Sequence, residues 1–479
     1  MAKEVYSSLP QTITDERTRM TEYEMGFHKA TTPDEVLRMR MGGEMVKYTW
    51  GTHNIKIMRR ESSGPTDDVW THDFEVENNP LFHYLAFTEL SQPIYALELK
   101  DEFKKAGIVF RWTSNLLHAV TKSVRLSFGS EEGPGVDKTY FDILRQCIIL
   151  NPKEDDTVKL AHERLIGNID FLTKWTTNTP VFTMSMKLPF SYSRSWDYGF
   201  PIFMLDKSCK FIHQVQTNSY LSNLIRIGRM GPDGVITRMK FDIKYFTTEK
   251  SFIPSPSLYA TYTTQTKEEL TIRQDFYKKN PELIMEDIVA GDEPDFVYPG
   301  TTPKITIHDM YPVHWFVVVA ENDQAVKQSN DYSNYSDNPT DVLAGSSPIT
   351  SLEVKYGDSV KLTALPEHFY THNFFEDYFG KVPTEPGYTT FPPGFNCSGF
   401  CSDAMITPSE LHMSLVVHMA GSTKEEGYEG RDDISESTIA TAMYSSLPKY
   451  KLRIRKCTYR RFIFSGGFLL PVPPKRIAV

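Results

Sequence analysis

Strict alternation of apolar and polar positions is the commonest pattern along this chain. Phe182, Met184, Met186 and Leu188 alternate with Thr183, Ser185 and Lys187. Met239, Phe241, Ile243 and Tyr245 alternate with Lys240, Asp242 and Lys244, and Tyr450, Leu452 and Ile454 alternate with Lys451, Arg453 and Arg455. A period of two sends successive side chains to opposite faces, so each segment predicts a half-buried strand. The longest unbroken apolar runs are of the kind Trp315 to Ala320, far short of the roughly 20 residues of a membrane-spanning helix.

Helical signals are fewer. In EDDTVKLAHERLIG, Val158, Ala161 and Leu165 keep helical spacing, acidic residues open the segment and Gly167 stands where a C-cap belongs, which predicts a surface helix. Thr266 followed by Glu269 reads as a capping box for TKEELTIRQDFYKK, and Asn280-Pro281 reads as the restart of a short helix through Ile288. The domain boundary is expected there. Residues 1–265 form an N-terminal extension and first unit, 266–290 an interdomain helical segment, and 291–479 a second unit. The acidic, Pro/Gly-punctuated GDEPDFVYPGTTP follows as a linker.

A short internal repeat supports two units of one kind. VRLSFG (Val124 to Gly129) and LEVKYG (Leu352 to Gly357) share one pattern, and each precedes an aromatic-rich turn, Thr139 to Phe141 and His368 to Tyr370. Two irregular stretches, 321–347 and 380–408, read as long exposed loops.

Composition fits this picture. The 479 residues suit two large β domains as well as three ordinary ones, and 25 Tyr, 30 Phe and 6 Trp with 30 Pro and 27 Gly read as a β-rich chain with long loops. Charges of 52 basic and 61 acidic residues leave −9, which argues against a genome-packaging role and direct nucleic-acid contact. The first residues lack an apolar core, so no secretory signal is expected. Five scattered cysteines favour reduced thiols.

Catalytic and metal signatures are weak. Cys397, Cys401, His412 and His418 superficially resemble a zinc set, yet LHMSLVV alternates like a strand. Six residues of strand separate its two histidines by roughly 20 Å, too far to share one ion. His368 and His372 lack the intervening Glu of a zincin. There is no GxSxG elbow, phosphate loop or GxGxxG, and IGRMGPDG reads as a tight turn. Arg455, Lys456, Arg460 and Arg461 interleave with aromatics. On a strand they read as a polar face or an intersubunit salt-bridge site. No cofactor, metal or catalytic residue is expected.

A family likeness rests on ordered motifs. FRWTSNLLHAVTKSVRLSFGSEEGPGVDKTYFDILRQ (Phe110 to Gln146), with Val136-Asp137-Lys138-Thr139-Tyr140 as its turn, is followed by LIGN and LPFSYSRSWDYGFPIFML (Leu188 to Leu205). SLYATYTTQTKEELTIRQDFY, MYPVHWFVVVAEN, SNYSDNP, PITSLEVKYGDSVKL, PTEPGY (Pro383 to Tyr388) and YRRFIFSGGFL come next in order. From about residue 96 onward this resembles the double jelly-roll major capsid proteins of nucleocytoplasmic large DNA viruses, of the iridovirus and phycodnavirus type. PPGFNCSGFCSDAM departs from the family pattern, and residues 1 to about 95 match poorly.

The resemblance implies a mainly β chain of two tandem eight-stranded antiparallel jelly rolls with short loop helices. It further implies a structural, non-enzymatic protein of the virion capsid, assembled in the host cytoplasm. Homotrimeric pseudohexagonal capsomers would tile an icosahedral shell, with minor capsid and penton proteins and an internal viral membrane as further partners. Phe369, Tyr370, Phe374, Phe375, Tyr378, Phe379, Arg460 and Arg461, with residues 388–400, are the expected trimer contacts. A transient poxvirus-like scaffold and a carbohydrate-binding jelly-roll protein are the rival readings. Asn334-Tyr335-Ser336 and Asn396-Cys397-Ser398 fit the glycosylation sequon and are expected to be unmodified.

Overall fold

The computed structural model describes residues 51–57, 59–66, 69–76, 78–146, 156–193, 199–291, 293–294, 296–379, 382–391, 408–409, 411–421 and 448–473. For 51–66 and for residues 156, 328, 329 and 378 it describes the backbone. Alternation builds two lobes. In the first, β1 (Gly51–Ile57), β2 (Val69–Val76), β3 (Tyr84–Ile94) and β4 (Thr121–Phe128) lead to β5 (Glu131–Asp137), β6 (Phe182–Lys187), β7 (Phe211–Asn218) and β8 (Ser257–Thr264). They pair as β1-β8-β3-β6 in one sheet and β2-β7-β4-β5 in the other, all antiparallel, with Arg59–Thr66 added beside β2.

The second lobe repeats that order. Its strands are β9 (Glu282–Ala290), β10 (Lys304–Thr306), β11 (Val313–Asn322), β12 (Ile349–Tyr356), β13 (Ser359–Leu362), β14 (Tyr388–Phe391), β15 (Met413–Met419) and β16 (Tyr450–Ser465). The sheets run β9-β16-β11-β14 and β10-β15-β12-β13. In both lobes the order is therefore first-eighth-third-sixth and second-seventh-fourth-fifth, the permutation that closes eight antiparallel strands into a jelly roll. The repeat seen in the sequence occupies equivalent places. Val124–Phe128 and Leu352–Tyr356 end the fourth strand of each lobe, and Gly129 (φ +64°) and Gly357 (φ +58°) turn into the fifth.

Several helix expectations hold. Asp156–Leu165 is helical, with Gly167 at φ +84° beyond it, and Lys267–Lys279 is capped by the reciprocal Thr266–Glu269 box. Others are corrected. The helix does not restart after Asn280: Glu282–Ala290 is β9, because Leu283, Met285 and Asp287 alternate inward against β16. The alternation at 239–245 is not one strand. A hairpin turning at Gly234 ends at Met239, and Asp242 then caps a 3-10 turn at Ile243–Tyr245. The aromatic turns after the fifth strands are helical, at Lys138–Leu144 and at Phe369–Phe379.

The lobes lie side by side and point the same way. Asn330, just beyond β11 of the second lobe, donates to the carbonyls of Ser222 and Ile225, just beyond β7 of the first. At the other end, beyond β16, the carbonyl of Gly467 accepts from the amide of Asp206 in the β6–β7 connection. The connections leaving β3 and β7, and β11, thus gather at one end of the molecule. β11 explains how the lobes hold together. Phe316, Val318 and Ala320 enter the core of the second lobe, while Trp315, Val317 and Val319 join the core of the first. A strand buried on both faces reads as a continuous apolar run, which is what Trp315 to Ala320 is.

Candidate functional site: the junction between the lobes

The seam beside β11 carries most of the buried charge. Asp137 ends β5 and caps α1 (Lys138–Leu144), its side chain accepting from the Tyr140 amide at 3.0 Å. One turn on, at the i,i+4 spacing that brings helical side chains together, Lys138 Nζ meets Asp142 at 3.2 Å. The same ammonium reaches across the seam to the Tyr335 hydroxyl at 3.2 Å and the Tyr332 carbonyl. Asp142 is fully buried. It accepts from Tyr335 Oη at 2.8 Å and Ser333 Oγ at 3.1 Å, and lies 2.8 Å from His118 Nδ1. Burial opposes its ionisation, but Lys138, His118 and Tyr335 outweigh that and hold the carboxyl well below the usual range.

A second group flanks the first. Arg145 bridges Glu163 at 2.7 Å and Glu385 of the second lobe at 2.8 Å, and burial of its guanidinium is outweighed by the two carboxylates, which raise its pKa. Gln146 Oε1 accepts from the Thr384 amide at 3.0 Å and hydroxyl at 2.9 Å. Pro383 to Tyr388 is thereby laid against the first lobe, and Gly387 (φ +97°) crosses Tyr335 so closely that a Cβ would stand 2.1 Å from the Tyr335 carbonyl oxygen. Only glycine fits that approach at that φ.

β16 supplies the third group. Arg455 pairs with Asp137 at 2.6 Å and with Glu293, and Arg453 with Glu293 at 2.6 Å and Glu321 at 2.9 Å. Arg460 pairs with Asp287 at 3.1 Å and donates to the Glu132 carbonyl at 3.1 Å, while the Gly135 amide donates to Asp287 at 2.8 Å. Lys456 is buried against Asp309 at 3.0 Å. These basic residues were expected to alternate outward or to bridge subunits. Instead Arg455 and Arg460 tie the two lobes of one chain together.

Of the expected contact aromatics, Tyr370, Phe374 and Phe375 are buried within the chain and Phe369 and Phe379 are half-buried. Tyr370 is fully buried in the second lobe, donating to the Leu352 carbonyl at 2.6 Å, with Phe374 and Phe369 packed in the same core. Phe375 is fully buried at the seam, and Phe379 packs on Trp315 with ring centroids 5.6 Å apart. Of the eight residues, the Arg461 side chain is 41% exposed and pairs with Glu282, and the Tyr378 side chain lies outside the described residues. Tyr388 to Phe391 is the buried strand β14; residues 392–400 lie outside the described residues.

Among the described residues neither long loop is a simple exposed one. Residues 323–329 form a helix capped by Asn322, and Asp331, Ser333, Asn334, Tyr335 and Ser336 are buried in the seam. Asn334 is itself inaccessible and donates to the Asn338 carbonyl, which removes it as a glycan acceptor. Asn396, Cys397 and Cys401 lie outside the described residues. Among the described residues no three potential metal ligands converge.

Sequence reasoning missed His118, Asp142, Arg145 and Glu385 as members of one site. The Lys138–Asp142 spacing was the available signal. It also missed an inversion in α2 (Asp156–Leu165), a helix over the edge strand β6. Glu163 turns inward to Arg145, while Val158 and Leu165 are 51% and 46% exposed and Leu160 is 70% exposed. What the junction does chemically is hold two lobes in one orientation.

No protein-family model matches the sequence, and no curated protein matches it. Solved structures do match in fold. The Faustovirus major capsid protein is 9% identical over 90% of this chain and 94% of its own length, with a TM-score of 0.62. A chain of the PBCV-1 virus capsid is 10% identical over 89% and 97%, with a TM-score of 0.60. VP54 of PBCV-1, fitted into a reconstruction of the virophage Sputnik, is 11% identical over 89% and 98%, with a TM-score of 0.59. With two side-by-side eight-strand rolls of one permutation, the chain has the double jelly-roll fold of these viral capsid chains.

Proposed function

We propose that this chain is the major capsid protein of a large icosahedral DNA virus, with a structural and not a catalytic role. The observation that supports the reading best is the pair of parallel lobes of one strand order, in a chain that aligns over nearly its whole length with capsid chains of the same fold. Three copies around an axis bring six similar lobes into a near-hexagonal outline that can tile a surface, through heterologous contacts that close a ring.

A rigid seam serves that geometry, because a lattice needs both lobes of each copy at one fixed angle. The surface we assign to the neighbouring copy is the outward stripe Val158, Ala161 and Leu165 of α2. Its inner side is continuous with the interlobe junction through Glu163 and Arg145, so a copy seated there meets the chain where the lobes join. Covering the exposed halves of Val158 and Leu165 yields on the order of 1 kcal/mol each. The loop end crowns the outer surface in this reading, and the opposite end faces minor capsid and penton proteins and an internal membrane. The net charge of −9 suits a shell kept apart from its genome. For domain limits we keep 1–265 and 291–479 about a 266–290 junction, with β9 supplied to the second lobe by the latter. Light scattering on the purified chain tests the reading: a trimer is expected, and a stable monomer that forms no pseudohexagonal particles would overturn it.

A further inference from the structure

We propose that the first lobe carries, at its loop end, a groove that binds a neutral carbohydrate, with Trp175 and Phe171 as the apolar platform and Glu98, Asp170 and Asn178 as the hydroxyl-binding groups. The inference concerns one lobe of a single chain and stands whether or not the chain builds a capsid.

The groove is formed where β3 ends and β6 begins. Ile94 pairs with Phe182 there, and beyond them the two connections form a short antiparallel ladder, Leu97 opposite Thr179 and Glu98 opposite Asn178. Directly opposed residues share a face, so Glu98 and Asn178 are neighbours. A helical turn at Asp170–Thr173 makes the facing wall and leaves Phe171 41% exposed. Trp175 lies between the walls. The Arg111 guanidinium covers its ring at 5.0 Å and donates to the Thr173 carbonyl at 3.3 Å, and Gly228 leaves room for the ring edge. The platform is thus braced before any ligand arrives. The groove is shallow and open to solvent, with a volume of about 770 Å³, room for several sugar rings laid along its wall.

Charge selects the ligand class. Glu98 shares Lys104 with Asp101, at 2.7 and 3.0 Å, and Asp170 pairs with Lys174 at 2.6 Å, so the groove carries charge of both signs, exposed and screened by water, and no strong field of one sign singles out an ionic ligand. What remains is an aromatic surface flanked by carboxylate and amide oxygens. A pyranose matches that pairing, with C–H faces that pack on aromatic rings and hydroxyl edges that donate to carboxylates.

The test is saturation-transfer NMR on the full chain with maltotetraose, cellotetraose, chitotetraose and mannotetraose as probes. Transfer is expected to the ring C–H protons of at least one probe, with a Kd on the order of 1 mM or tighter. It should vanish in Trp175→Ala and fall several-fold in Asn178→Ala. Asn178 is exposed, so that second variant keeps the fold and carries the test if Trp175→Ala does not fold. Phe468→Ala, at the opposite end, should leave the signal unchanged. Transfer from none of the four probes overturns the proposal, as does transfer that survives Asn178→Ala and Trp175→Ala alike. Trimer mass measured on the same samples reports separately on the capsid reading.

Discussion

Asp142 shows how single residues hold this molecule together. Its carboxylate is shared by Lys138 and His118 of the first lobe and by the hydroxyls of Ser333 and Tyr335 of the second. Removing one partner of a buried charged group costs about 3–5 kcal/mol, because the others stay buried without compensation. Asp142→Asn should lose that amount in chemical denaturation. A loss under about 1 kcal/mol would show that the cluster is not a lock. His213 makes a different prediction. Burial lowers its pKa from 6.5 to about 3, and burial likewise lowers that of His162 to about 4. Below pH 6.5 the unfolded chain takes up protons that these folded imidazoles refuse, so stability falls as pH drops from 6.5 toward 3. The slope reaches about 1.4 kcal/mol per pH unit for each histidine. His213→Phe should flatten that limb in melts taken from pH 7 to 4, and an unchanged slope would contradict the assignment. At this scale the sequence is only partly legible. Gly387 and the Asp137-Lys138 pair stood in recognisable motifs, whereas Glu385 and His118 meet Arg145 and Asp142 only through long-range packing.

Elements buried on one face were readable, and elements buried on two were not. β6 alternates cleanly because its outer face meets solvent, and Met184 and Met186, followed by Leu188 just beyond the strand, are the buried set. β11 and the middle of β16 break alternation because the second lobe's sheet is covered on both sides. That is why Arg455 and Lys456, adjacent in sequence, are both buried with acidic partners. The misread helix at 282–288 has a local cause: Asn280-Pro281 imitates a helix start, but β16 offers a ladder from Glu282 to Ala290 that a short helix cannot match. Trp315 on β11 carries a prediction. It stacks on Tyr140 with centroids 6.0 Å apart and meets Phe379 edge to face, so Trp315→Ala should cost about 3–5 kcal/mol and split one calorimetric transition into two as the lobes uncouple. A single unshifted transition would contradict the seam. For α2, Val158→Asp with Leu165→Asp should leave the melting temperature of the monomer unchanged while abolishing self-association on a sizing column. Association that persists would place the contact elsewhere.

For the molecule as a whole, the feature that matters is that two rolls of the same permutation are fixed side by side with their loop ends together. Collinear motifs made the double roll legible, since short degenerate signals gain weight when they recur in order. The orientation of the lobes was not legible, because it depends on Asn330 meeting Ser222 and Ile225 and on Gly467 meeting Asp206, contacts no local pattern announces. The seam explains why Phe375 and Phe379 are turned inward, while Tyr370, Phe374 and Phe369 pack in the second lobe's own core. The central claim is that such chains close in threes to tile a shell. Cryo-electron microscopy of the purified protein tests it most directly. The proposal predicts particles with threefold symmetry, six lobes and a near-hexagonal outline, whereas isolated two-lobed particles at micromolar concentration would contradict it.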